Sequence, residues 1–400
     1  MAPEGSPSAR LTSVDAVRGL VMILMALDHV RDFFHRGAMQ FSATDLARTT
    51  PVLFLTRWVT HFCLPGFMFT TGIGAFLWLH RRNRTKKQLS VFLVTRGLWF
   101  VLLELTVLQF AYDFDLPTRY PILLLVLWIF GICLVFMALV VHLPRRVLAV
   151  LSISAIALHN CLDGIAGPQS GVLSWLWHLF HQPGLITIAG KPLLVTYTLV
   201  PWLPVMAAGY CFGEILTLPA SQRRRLTRNI GLALIVAFIL LRAINHYGDP
   251  VPWSTQKSGV MTVLSFLNCQ KYPASLDFLC MTLGPALLGL AYFDRHPLRL
   301  TNPIVIFGRV PLFYFVLHLY VIHMLLVCAA LLRYGWAATS FLFHPVPSMG
   351  GPAQLFPSDF GWSLTSVYLL WVLTVILLYP LCRSYARVKA EGKSPVLSYL

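Results

Sequence analysis

The run P-I-L-L-L-V-L-W-I-F-G-I-C-L-V-F-M-A-L-V-V-H, residues 121 to 142, contains no Asp, Glu, Lys or Arg. Wound as a helix at about 1.5 Å per residue, it reaches across the roughly 30 Å hydrocarbon core of a bilayer. Nine further apolar runs lie near residues 14–34, 57–79, 90–111, 147–162, 193–217, 229–247, 273–292, 302–332 and 363–382. The 400 residues are 57% hydrophobic and only 12% charged, with a mean hydropathy of +0.70, so polar side chains are too few to cover a water-soluble surface. In lipid every backbone amide must be bonded internally, and the short alternating segments of an outer-membrane barrel are missing. The fold class is therefore all-α: a polytopic transmembrane helical bundle of about ten helices. Residues 1–13 form a short N-terminal segment, 14–382 the membrane domain and 383–400 a C-terminal tail.

The net charge of +16 does not point to nucleic acid, because Lys and Arg sit in short clusters between apolar runs. One set of clusters comprises Arg10 and Arg18, the group from Arg81 to Lys87, Arg145 and Arg146, the group from Arg223 to Arg228, Arg295 and Arg299, and Arg383 to Lys393. The alternate loops are poorer: Arg31, Arg36, Arg48, Arg57, Arg119, Lys191, Lys257, Lys271 and Arg333. That alternation places the richer set, and both termini, in the cytoplasm. The eight cysteines are scattered singly, with no C-x-x-C pair, so neither a disulfide framework nor a metal site is expected. The first run ends in Asp28 and His29 without a small-residue cleavage site and reads as a retained helix. Long loops at 160–192, 247–272 and 334–362, rich in Pro, Gly, Trp and His, are expected to close over an external site.

Ionisable groups inside a bilayer are costly, and each is a candidate for function. The first run, Leu11 to His35, holds Asp15 and Arg18 on one face near its inner end, and Asp28 and His29 beyond the midplane. Arg18 and His29 are separated by about 16 Å of helix axis. An Arg offers a planar fork for phosphate, and a His takes and returns a proton near neutral pH. A second cluster, W-V-T-H-F-C-L-P-G-F from Trp58 to Phe67, places His61 near the outer end, with Pro65 and Gly66 able to break the helix. A third, G-R-V-P-L-F-Y-F-V-L-H from Gly308 to His318, puts Arg309 and His318 nine residues apart within one apolar run, where both are expected to line the bundle interior. Glu104 and Glu214 are candidate counter-ions for Arg309 or Arg96.

The segments R-L-T-S-V-D-A-V-R-G, A-L-D-H-V-R-D-F-F-H, T-H-F-C-L-P-G-F-M-F and G-R-V-P-L-F-Y-F-V-L-H-L-Y resemble bacterial members of the heparan-α-glucosaminide N-acetyltransferase catalytic-domain family. The chain is similar more widely to inner-membrane sugar O-acyltransferases, whose first helix carries an Arg and a His with ten residues between them, the spacing of Arg18 and His29. The resemblance implies transfer of an acyl group, usually acetyl, from cytoplasmic acyl-CoA to a sugar or glycan acceptor on the far side of a bacterial inner membrane. It implies Arg18 on the CoA side; Asp15, Arg309 and His318, read from their own positions in the apolar runs, are expected to complete the cofactor-binding set. It implies a base among His29, His35 and His61, with Asp28 as the carboxylate beside His29. The implied partners are acetyl-CoA, the acceptor and the bilayer, with no nucleic acid and no metal; self-association into a homo-oligomer is left open. A proton-coupled secondary transporter would use the same intramembrane groups, and the lack of an inverted repeat weighs against it.

Overall fold

A computed structural model describes residues 11–81, 84–115, 121–188 and 190–392. Arg10, Arg82, Arg119 and Lys393 of the charge pattern lie outside the described residues. Helix α1 (Thr12–Phe34) is followed by α2 (Pro51–Thr60), α3 (Cys63–Arg81) and α4 (Lys86–Leu103). A wide π turn at Glu104–Leu108 joins α4 to α5 (Gln109–Asp113). Next come α6 (Val126–Val140), α7 (Arg145–Leu158), the loop helix α8 (Gly171–Phe180), α9 (Leu199–Phe212) and α10 (Ala220–Ile244). The loop helix α11 (Gly259–Leu267), α12 (Leu276–Arg295), α13 (Pro303–Arg309), α14 (Pro311–Tyr334) and α15 (Leu364–Ala390) complete the chain.

Eight helical stretches among the described residues are long and apolar enough to cross a bilayer. Eight such stretches make an all-α polytopic membrane protein; of the ten runs expected, the remaining two are the charge-bearing α1 and the 15-residue α6. Helix α1 is the hub, packed by α3, α12, α13, α14 and α15. Its polar groups are tolerated because they face protein and cavity rather than lipid. The outer rods α10 and α15 turn residues such as Ile239, Leu240, Leu369 and Ile376 outward, the exposed apolar surface that lipid covers.

Small residues let the rods approach where lipid supplies no hydrophobic drive between helices. A Cβ at Gly19 would fall 1.7 Å from the Ile304 carbonyl oxygen, and one at Gly308 would fall 1.8 Å from that of Asp15. Helices α1 and α13 therefore touch backbone to backbone beside Arg18. Gly72 and Gly209 do the same for α3 and α9.

Four expectations are corrected. The run 302–332 is two helices, broken at Val310 before Pro311, so Arg309 and His318 do not share one helix. The run 57–79 breaks at His61 and Phe62, ahead of Pro65, which sits in the first turn of α3 where a proline is tolerated. Residues 121–125 and 193–195 do not begin helices. They carry β1 (Ile122–Leu124) and β3 (Lys191–Val195), which pair in parallel as Ile122 with Leu193, while β2 (Gly184–Ile188) pairs antiparallel with β3. Finally, Glu104 and Glu214 are not the counter-ions of Arg96 or Arg309. The fully buried Glu104 carboxylate accepts the N–H groups of Leu127 at 2.7 Å and Trp128 at 3.1 Å, capping α6. Half-exposed Glu214 pairs with Arg145 at 3.2 Å.

Candidate active site

Two cavities flank α1. The inner one, about 280 Å³, is lined by Arg18 and Arg96 and by an apolar wall that includes Phe67, Trp78, Phe92, Phe100 and Val126. The Arg18 guanidinium donates to the Thr70 carbonyl, and it fills the space that a side chain at Gly74 would take, with Nη2 only 2.9 Å from a Cβ built there. Arg96 lies over the rings of Phe92 and Phe100, at 5.7 and 5.6 Å. Arg84 stacks on Trp78 at 3.6 Å at the same end of the bundle. Two or more guanidiniums against aromatic surface make a site for an anion with an apolar extension.

The outer cavity, about 620 Å³, is lined by Asp28, His29, Arg31 and Asp32 of α1, Arg57 of α2, and Lys271 and Tyr272 of the loop before α12. The Asp28 carboxylate is hydrogen-bonded by Arg57 and lies 3.1 Å from Arg31, which also meets Asp32 at 2.5 Å. Arg57, expected in an outer loop, is thus an intramembrane partner, and Asp28 is committed to it rather than to His29. Breaking such a pair leaves a buried charge. Arg57→Met is expected to destabilise the protein by about 3 kcal/mol, and Asp28→Asn added to it is expected to restore much of the loss. Thermal midpoints of the two variants in detergent check this; equal midpoints for wild type and Arg57→Met would refute it.

Tyr272 bonds weakly to Arg57 at 3.5 Å and to Tyr197 at 3.3 Å. Burial pushes its phenol up, but Lys271 and Arg57 outweigh this and hold it below its ordinary value. The loop that presents Lys271 and Tyr272 is anchored by Arg242, whose guanidinium donates to the carbonyls of Val251, Ser265, Phe266 and Asn268 at 2.9–3.1 Å. Residues 347–349 of the last long loop also reach this cavity. Sequence patterning missed Lys271, Tyr272 and Arg57 as one group because only the fold brings them together.

His29 lines the outer cavity, and its ring lies 5.1 Å from that of His318, fully buried on α14. The other two candidate bases are elsewhere. The His61 ring packs on Phe278 at 5.2 Å and borders a neighbouring cavity with Asn268 and Gln270. His35 accepts the Ala38 N–H on Nδ1 at 3.2 Å and caps a short 3-10 turn; burial and then Arg31 hold its imidazole below the usual value. Asp15 is buried with its carbonyl against Gly308, the residue before Arg309. The cavities of Arg18 and His29 are adjacent, with Phe67 and Val126 in the wall of both. Among the described residues no group of three or more His, Cys, Asp or Glu could hold a metal ion.

The fold is that of a polytopic helical membrane protein with two adjacent cavities beside α1, one lined by Arg18 and Arg96 and the other by His29. The chain belongs to the heparan-alpha-glucosaminide N-acetyltransferase catalytic family, which matches residues 10–244, and it is a transmembrane acetyltransferase by that membership. The matched stretch contains Arg18, His29 and Arg57, while Lys271, Arg309 and His318 fall beyond it. A search of curated proteins gave no match.

Proposed function

We propose that the protein moves an acetyl group from cytoplasmic acetyl-CoA to an amine or hydroxyl of a sugar or glycan at the outer face of a bacterial inner membrane. Residues 14–382 act as the catalytic membrane domain, with both chain ends in the cytoplasm. The adjacency of the two cavities, with Phe67 and Val126 in the wall of both, is the observation that supports the reading. CoA phosphates are held by Arg18 and Arg96, with Asp15 and Arg309 shaping that end, and the pantetheine arm follows the aromatic wall toward the outer cavity. There His29 acts through Nε2. It takes the proton of the acceptor hydroxyl or amine as that atom bonds to the thioester carbonyl carbon. When the tetrahedral intermediate collapses and the C–S bond breaks, His29 returns the proton to the sulfur. The products are free CoA thiol and the acetylated acceptor. Positioning in a dry site and general-base help both favour this path.

Purified protein in lipid nanodiscs, given acetyl-CoA and a glycan panel, is expected to release CoA thiol and to label an acceptor with acetyl. Binding no CoA and consuming no thioester with any acceptor would sink the reading and favour a proton-coupled transporter. Arg18→Ala is expected to weaken acetyl-CoA affinity by about ten- to hundred-fold, the loss of one charged hydrogen-bonding group. Titration calorimetry with unaltered affinity would remove Arg18 from the donor site.

A further inference from the structure

His29 carries an orphaned nitrogen. Its Nδ1 is buried and has no hydrogen-bond partner. An imidazole that accepts a proton on Nε2 carries its own proton on Nδ1, and in an efficient base that N–H is held by an acceptor which fixes tautomer and ring orientation. The adjacent carboxylate does not fill this place. Asp28 lies about 100° round the helix from His29 and is engaged by Arg57 and Arg31.

His318 has the complementary atom. Its Nδ1 contacts the carbonyl oxygens of Phe315 at 2.5 Å and Tyr314 at 3.2 Å. A carbonyl can only accept, so Nδ1 bears the hydrogen and Nε2 is left as a bare lone pair. That Nε2 is also buried and without a partner. The two rings are neighbours, with centroids 5.1 Å apart and planes inclined by 58°. The two nitrogens are not bonded to each other in this structure, and the ring separation leaves room for a direct N–H···N bond of about 3 Å once the rings rotate. Buried polar atoms are rarely left unmatched, and catalytic hydrogen bonds commonly tighten only when substrate is bound.

We propose that His318 is the positioning residue for His29: its Nε2 accepts the His29 Nδ1–H and so points the His29 Nε2 lone pair into the outer cavity. No proton passes between the rings; the bond only selects one tautomer and one orientation. The proposal rests on the acetyl-transfer reading, and the break before Pro311 supplies the geometry, because α14 starts afresh there and brings His318 to α1 independently of Arg309.

The test compares wild type, His318→Phe and His318→Gln in nanodiscs. Phe keeps a flat ring without a nitrogen, and Gln can return an acceptor near the Nε2 position. His318→Phe is expected to lower kcat by about 10²-fold or more while acetyl-CoA affinity stays unchanged, and His318→Gln is expected to recover at least tenfold over Phe. Nitrogen-15 NMR of histidine-labelled protein with acetyl-CoA bound, with His29→Ala used to assign the signal, is expected to show His29 as one Nδ1–H tautomer in wild type and as a mixture in His318→Phe. A fully active His318→Phe variant, Gln no better than Phe, or an unchanged His29 tautomer overturns the dyad. Failure of the acetyl-transfer reading is told apart because wild type would then release no CoA thiol.

Discussion

His29→Ala is expected to abolish most acetyl transfer, by about 10²–10⁴-fold in kcat, while the protein still folds and still binds acetyl-CoA. The expected separation of folding from turnover follows from its surroundings. The proposed bond to His318 orients the ring rather than holding the fold, the His29 ring packs against that of His318, and the Arg18 cavity is lined by other residues. The ion pairs of Asp28 with Arg57 and Arg31 also remain. His35→Ala and His61→Ala are the comparisons that give the result meaning. His35 holds a turn, and His61 lines the adjoining cavity rather than that of His29, so each is expected to keep turnover within about tenfold of wild type. Thiol release measured on all three, at equal folded protein by size-exclusion chromatography, decides the matter. If His29→Ala turns over normally and one of the others does not, the base is the other residue.

Gly308→Leu is expected to leave almost no folded protein. A Cβ there would meet the Asp15 carbonyl oxygen at 1.8 Å, its carbon at 2.7 Å and the Gly19 nitrogen at 2.9 Å. All three are backbone atoms, so no rotamer relieves the clash, and α13 must part from α1. Overpacking a core costs about 1–3 kcal/mol when side chains can shift. Here they cannot, and the loss is expected to exceed that range. Gly289→Leu on α12 is the control, since a Cβ at Gly289 meets nothing within 4 Å. Fluorescence-detected chromatography of the two variants is expected to show a monodisperse peak for Gly289→Leu alone. A normal peak for Gly308→Leu would mean that the close crossing does not exist.

Hydropathy exposed the ten rods well, because the bilayer imposes length and apolarity on each segment independently of its neighbours. It also exposed Arg18, His29 and His318, since a charge or imidazole in an apolar run stands out without any knowledge of partners. What it could not convey was pairing. Glu104 read as a counter-ion for Arg309 or Arg96, but its ligands are backbone N–H groups of α6, which have no signature in side-chain pattern. Arg57 read as loop charge because the α2 and α3 segments merged into one run, and the break at His61 and Phe62 shifts it onto a helix beside Asp28. One apolar run joined Arg309 to His318 across a proline that ends one helix and begins another. The strands β1 and β3 were hidden for the same reason: an apolar run of three to five residues fits a strand as well as a helix end, and only the partner strand decides.

Phe67 and Val126, the two side chains common to both cavities, give the molecule the character of an electrical insulator. Hydrated protons and metal ions lose their solvation at such an apolar plug, whereas a neutral thioester on a slender arm does not. On the proposed function an acetyl unit crosses this apolar wall while ions do not, and smaller residues at Phe67 and Val126 are expected to raise proton leak through liposomes.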